Sequence, residues 1–417
     1  MTKLSNNNSG SRNVAFLIII LIAAIAMAIA FLPSVNSNVQ ESMDVINGSS
    51  TSIGSTEAHT IFDTLVYNRS IHILAMLLLG FGFLMVFVRG HGYSTITATL
   101  LVVSISVPVY MLIKSFVGEE PAVNIEALLW GEFAAASLLI AIGAPLGRLK
   151  MDQFVLMAVL FTVIYLVNET LILDSGLKCF EGFQDTGGSV VIHAFGAYFG
   201  LGVVATTMKK FEDGPQCETD STSNQFSLLG SFVLWVFWPS FTSAIAAPER
   251  VVLTAINTVF ALAGASIATY VFSKLIRGKL DVEDIANAAL AGGVAIGSTC
   301  DIANPGSSLL IGIAAGTLST LGYSVIAPKV CNLIKGLDTC GVHNLHGMPG
   351  LLGGVCAIFV AKAANITGFS ISAQILAMVV TVVIAFVGGR ITGLIIGLMG
   401  RKEIPYSDED EFILEEE

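Results

Sequence analysis

Two stretches of the chain repeat one chemical pattern. Asp185-Thr186-Gly187-Gly188 leads to His193, and Asp338-Thr339-Cys340-Gly341 leads to His346. Both read D-T-x-G-x-x-x-x-H, and each opens an apolar run. A histidine offers a hydrogen-bond donor, an acceptor and a proton-carrying site in one side chain. An ionisable residue inside an apolar run marks a conduction path or relay by default. The aspartates also have a plainer use, because Asp ahead of a helix accepts bonds from its free backbone N–H groups. That use leaves room for an electrostatic effect at a pore mouth. Eight residues of helix rise about 12 Å, which would put each Asp near a membrane face and each His near the midplane. Zinc sites use three or four protein ligands. Two imidazoles, with Cys340 as the nearest further candidate, supply no convincing third, so neither metal nor cofactor is expected. No nucleotide loop, cofactor fingerprint or nucleophile–base motif argues for an enzyme.

Composition says what must position these residues. Of 417 residues, 54% are apolar and 12% charged, against about 25% charged in a soluble domain. Mean hydropathy is +0.79. The chain is a polytopic membrane protein, and a nucleic-acid module, a secreted disulfide scaffold and a disordered chain are excluded. The net charge of -11 gathers in the tail, where residues 401–417 hold eight acids against Arg401 and Lys402. Within it, Ser407-Asp-Glu-Asp reads as a solvated charge run or an acidophilic kinase site.

Runs of about 20 apolar residues span a bilayer. They fall near 14–33, 69–89, 94–114, 123–147, 152–173, 186–208, 224–246, 249–273, 282–301, 306–327, 340–361 and 372–400. The expected organisation is an N-terminal segment with a retained first helix (1–33), an extracellular or luminal loop (34–68), an eleven-helix body (69–400) and an acidic cytoplasmic tail (401–417). Lys and Arg crowd one set of loops, which by the positive-inside rule places both termini in the cytoplasm. Of the sequons on the opposite side, Asn47 lies in the longest polar loop and is the expected glycosylation site; Asn68, Asn168 and Asn365 fall closer to the bilayer. With that topology the two D-T-x-G patterns run in opposite directions. Inverted repeats are a transporter signature, with the site at their interface near mid-bilayer. His343 reads as interfacial, and His59, His72 and His91 as peripheral.

Longer motifs carry a resemblance. Residues 185–201, Trp238-Pro-Ser-Phe241, Ala291-Gly-Gly-Val-Ala-Ile-Gly297 and residues 338–350 resemble the Rh glycoproteins of the ammonium transporter superfamily, over about residues 60 to 400. The resemblance implies an all-α polytopic fold of about twelve transmembrane helices, with two inverted five-helix repeats around a central pore. It implies a homotrimer with one ammonia pore per protomer. His193 and His346 match the paired pore histidines, Phe133 and Phe241 the outer gate, and Asp185 and Asp338 the flanking carboxylates. Glu169 resembles an acid of the outer vestibule, although the stretch from there to Asp185 is longer than the family usually has. The absence of tryptophan from 152–173 is similar to the Rh branch rather than to bacterial and plant ammonium transporters.

The expected function is therefore passage of ammonia or ammonium, with methylammonium a further candidate solute. A carbon dioxide channel and a non-conducting scaffold or ammonium sensor remain open as alternatives. Beyond solute and membrane lipid, the expected partner is a second and third copy of the chain, with no nucleic acid.

Overall fold

The computed structural model describes residues 53–117, 123–174, 176–207, 219–400 and 406–414, with side chains from residue 63 onward. The expected first span 14–33 and the sequon at Asn47 lie outside them. Among the described residues all regular structure is helical. Nine helical rods among the described residues are long and apolar enough to cross a membrane, from Asp63–Phe87 to Ile371–Gly397. Two more expected spans take other forms. One is the helix Ser221–Thr242, whose first turn is polar. The other is a run of short pieces, Val282–Asn287, Ala288–Leu290 and Ala291–Ile296, which bends at Asn287. Large apolar side chains such as Phe232, Val236, Leu310, Phe359 and Leu394 stay exposed. A soluble protein would not leave so much apolar surface uncovered; a lipid-facing one must.

The interior is closed by small residues. A Cβ on Gly292 would lie 2.0 Å from the Ala261 carbonyl oxygen, and one on Gly312 would lie 1.9 Å from the same atom. Three elements thus meet at one turn of the helix Val251–Arg277, a backbone approach that only glycine allows. Where that helix ends, Arg277 pairs with buried Asp284 through Nε–Oδ2 at 2.8 Å and Nη2–Oδ1 at 3.0 Å. This two-point pairing ties it to the bent run.

Three details differ from the expectations. The first described helix begins at Ile53, sixteen residues ahead of 69, so the end of the expected 34–68 loop is helical. Asn168 is fully buried, which removes its sequon from reach, whereas Asn68 and Asn365 are exposed. His91 is buried rather than peripheral.

Residues 406–414 of the acidic tail are not a solvated charge run. Asp408 is buried, and its carboxylate accepts the N–H groups of Tyr93 (3.1 Å) and Ser94 (2.8 Å) at the start of the helix Gly92–Val117. Glu411 accepts from the Met151 N–H at 3.1 Å, at the start of Met151–Glu169. The Tyr406 and Asp408 N–H groups donate to Gly147 and Gly90. Carboxylates at helix N-termini satisfy orphan donors and meet the positive end of the dipole, so two acids of the tail latch two interhelical loops together. Asp408→Ala should cost about 1 kcal/mol of docking, read as faster protease cutting between residues 400 and 414. Burial holds the His91 imidazole below its ordinary 6.5, against the pull of Asp408.

Candidate functional site

Each D-T-x-G-x-x-x-x-H segment folds the same way. Gly188 and Gly341, three residues after the aspartates, adopt φ of +73° and +65°. The left-handed turn brings the aspartate back onto the helix start that follows. Asp185 accepts from the N–H groups of Val190 (3.0 Å) and Val191 (2.8 Å), and from the Ser298 hydroxyl. Asp338 accepts from Val342 and His343, both at 2.9 Å. The eight-residue spacing is therefore a turn plus one cap, not a straight 12 Å rise. Both helix starts are wound as π-helix, over Ser189–Ala194 and His343–Gly347. Such winding is frequent at functional sites because it re-aims a side chain that regular winding would turn away.

What it aims is the histidine pair. His193 and His346 are buried, their ring planes lie within 10°, and Nδ1 faces Nδ1 at 3.2 Å. A hydrogen bond at that distance needs one ring to donate and the other to accept. The pair then keeps one outward Nε2–H and one outward Nε2 lone pair. Nε2 of His193 has no protein partner.

Rings continue the line on both sides. Phe133 and Phe241 meet edge to face at 4.9 Å, with Phe241 5.9 Å from His193. Beyond His346, Phe81 stacks at 6.2 Å. Trp238 backs His193 at 5.6 Å, near parallel. Past Phe81 and His346 a narrow cavity opens, lined by apolar side chains together with Asn287 and Cys340.

Four of the seven expected pore residues, Phe133, Phe241, His193 and His346, thus form one file. Asp185 and Asp338 act on the backbone of its two helices. Glu169 stands apart: it is buried, takes the Tyr110 hydroxyl at 2.5 Å and Lys114 at 3.5 Å, and leaves Oε2 without a partner. His343 packs against Tyr198 at 5.7 Å, outside the file. Three contributors were missed. Trp238 lies three residues before Phe241, on the same helical face, a spacing that could have paired the two. Asn287 is a lone amide in an apolar run. Phe81 had no signal beyond being one of 25 phenylalanines. Among the described residues no cluster of three or more His, Cys, Asp or Glu could hold a metal ion.

Comparison with known proteins is consistent along the chain. Residues 49–414 match the ammonium transporter family. Ammonium transporter Rh type B of Rattus norvegicus is 37% identical over 360 residues, covering 79% of this chain and 78% of that one. Ammonium transporter Rh type A of Mus musculus is 37% identical over 342 residues, covering 79% and 76%. Among solved structures, Nitrosomonas europaea Rh50 superposes with a TM-score of 0.80 at 48% identity, covering 84% of this chain and 92% of that one. A sensor Amt protein, at 19% identity and a TM-score of 0.71 over 84% and 95%, shares the fold.

The Trp238 wall makes one test of the geometry. A Cβ on Gly293 would lie 2.5 Å from the indole. Gly293→Val should cost about 1–3 kcal/mol by overpacking, lower the thermal midpoint in detergent and reduce ammonia flux by pushing Trp238 into His193. An unchanged midpoint together with unchanged flux would show that this wall is not tightly set.

Proposed function

The chain belongs to the ammonium transporter family, in its Rh branch, and moves ammonium or ammonia across a membrane; from that premise we propose that the route is the file Phe133–Phe241–His193–His346 and that neutral ammonia is the species that crosses it. It is a multi-pass membrane protein and not an enzyme. The observation that carries the reading is the histidine pair, edge to edge at 3.2 Å inside an apolar column.

The energetics favour ammonia. A bare cation at the bilayer centre costs at least about 3 kcal/mol and more by simulation, whereas ammonia brings only polar N–H bonds. Ammonium gives a proton to bulk water at the mouth, and the two packed phenylalanines exclude water and hydrated ions as a dry constriction. Ammonia then meets one Nε2–H and one Nε2 lone pair, so it can donate and accept without either histidine gaining charge. Neutral partners hold it weakly enough to release it, as conduction requires.

Glu169 is read as the acid of the outer mouth. With Asp174 at 3.1 Å from the same lysine, the pair of carboxylates outweighs Lys114 by one charge when both are ionised. The uneven distribution of Lys and Arg supports cytoplasmic termini and puts the phenylalanine end outside. Family membership supports a homotrimer with a pore in each protomer, and Asn47 as the glycan site. Methylammonium fits the same chemistry.

His193→Leu and His346→Leu should each lower ammonia flux by about tenfold or more, the scale of a lost buried hydrogen-bond partner. The measurement is internal pH by stopped flow in proteoliposomes at matched protein content. Flux in the wild type should not follow a clamped membrane potential. Undiminished flux in the histidine variants would sink the route, and flux that follows the potential would mean that charge crosses. Glu169→Gln should raise the half-saturating ammonium concentration and leave maximal flux near wild type; a change in maximal flux alone would remove the acid from recruitment.

A further inference from the structure

The cavity beyond His346 poses a problem for a molecule with N–H bonds. Its walls are apolar side chains such as Phe81, Leu84, Leu139 and Val342. The polar side chains reaching it are His346, Asn287 and the Cys340 thiol, and a thiol is a weak donor and acceptor. Asn287 is buried at the bend that ends Val282–Asn287. Its Nδ2 donates to the Glu283 carbonyl at 3.0 Å, one turn back. That bond fixes the amide, because a flipped side chain would set two acceptors against each other. Among the described residues neither Oδ1 nor the second N–H has another partner, and Asn287 lines the cavity.

We propose that Asn287 is a substrate-contacting residue of the inner half of the pore, its Oδ1 accepting an N–H from ammonia as it leaves His346 and its second N–H available to the ammonia lone pair. This rests on the histidine route described above. The bend in the helix has a purpose on this account: regular winding through residues 287–291 would continue the rod, whereas the tighter turn over Ala288–Leu290 keeps the amide at the cavity wall. A neutral amide matches what the histidine pair offers, one donor and one acceptor, so the solute passes between sites of similar strength. A carboxylate there would hold ammonium instead, and a purely apolar wall would leave the N–H groups unpaired.

The test compares Asn287→Val with Asn287→Thr, which share a shape and differ by one hydroxyl. A threonine here can donate to the Glu283 carbonyl, as Thr95 does to His91 (2.6 Å) and Thr99 to Thr95 (2.9 Å), and still present oxygen lone pairs to the cavity. In proteoliposomes Asn287→Val should lower ammonia flux about fivefold to tenfold, the scale of one net hydrogen bond. Asn287→Thr should stay within about twofold of wild type. His346→Leu runs alongside. If it is silent while the valine variant matches wild type, or while the valine and threonine variants match each other, the inference is wrong and the histidine route stands. If His346→Leu conducts normally, the route and the inference fall together. Should the valine variant not assemble, Asn287→Ala against Asn287→Ser makes the same comparison.

Discussion

A helix that starts inside an apolar body must find acceptors for its first N–H groups, since no water is there to supply them. At both histidine helices the acceptor is an aspartate folded back by a left-handed glycine. Everything at the centre depends on that arrangement. It lets the chain turn sharply on each side, lets each helix open with a loosely wound turn, and thereby brings two imidazoles from segments 153 residues apart to 3.2 Å. Other backbone bonds hold the same turns in place. Gly187 donates to Gly297, and Thr339 and Cys340 donate to Ala144 and Gly143.

Around that centre the walls are chosen for shape rather than charge. Trp238 lies flat behind His193 only because Gly293 leaves room for the indole. Phe81 comes within reach of His346 from a helix that is itself π-wound over Met76–Phe81. The two ends of the file differ: packed rings close the Phe133 side, and a narrow cavity with one amide opens on the other. A matched repeat in the sequence has thus produced matched helix starts and unmatched approaches to them.

Much of this was legible from residue types and spacing. The repeated D-T-x-G-x-x-x-x-H named both histidines, and long apolar runs located most of the described membrane helices, although the one that begins at Ile53 starts well ahead of its apolar run. The eight-residue spacing misled as a length, because glycine at the fourth position makes a turn that rise-per-residue arithmetic does not contain. Bends were harder. Nothing in Ile285–Leu290 breaks a helix by propensity, so the bend at Asn287 comes from packing. The tail misled for a related reason: a run of acids looks like a solvated segment until the orphan N–H groups it will meet are known. Phe81 could not be singled out, since one aromatic among many carries no pattern.

Unspent valence locates the chemistry better than charge does. A carboxylate has about four lone-pair sites. Asp185 spends them on Val190, Val191 and Ser298, and Asp338 spends two on Val342 and His343. Among the groups with capacity left, Nε2 of His193 and Oε2 of Glu169 lack protein partners, and the Asn287 amide has one N–H engaged. Each left unsatisfied in a dry interior would cost on the order of 1–3 kcal/mol. On the proposed route, a polar solute that visits them in turn recovers part of that cost at every step, which would make an apolar channel passable to ammonia while it stays closed to ions.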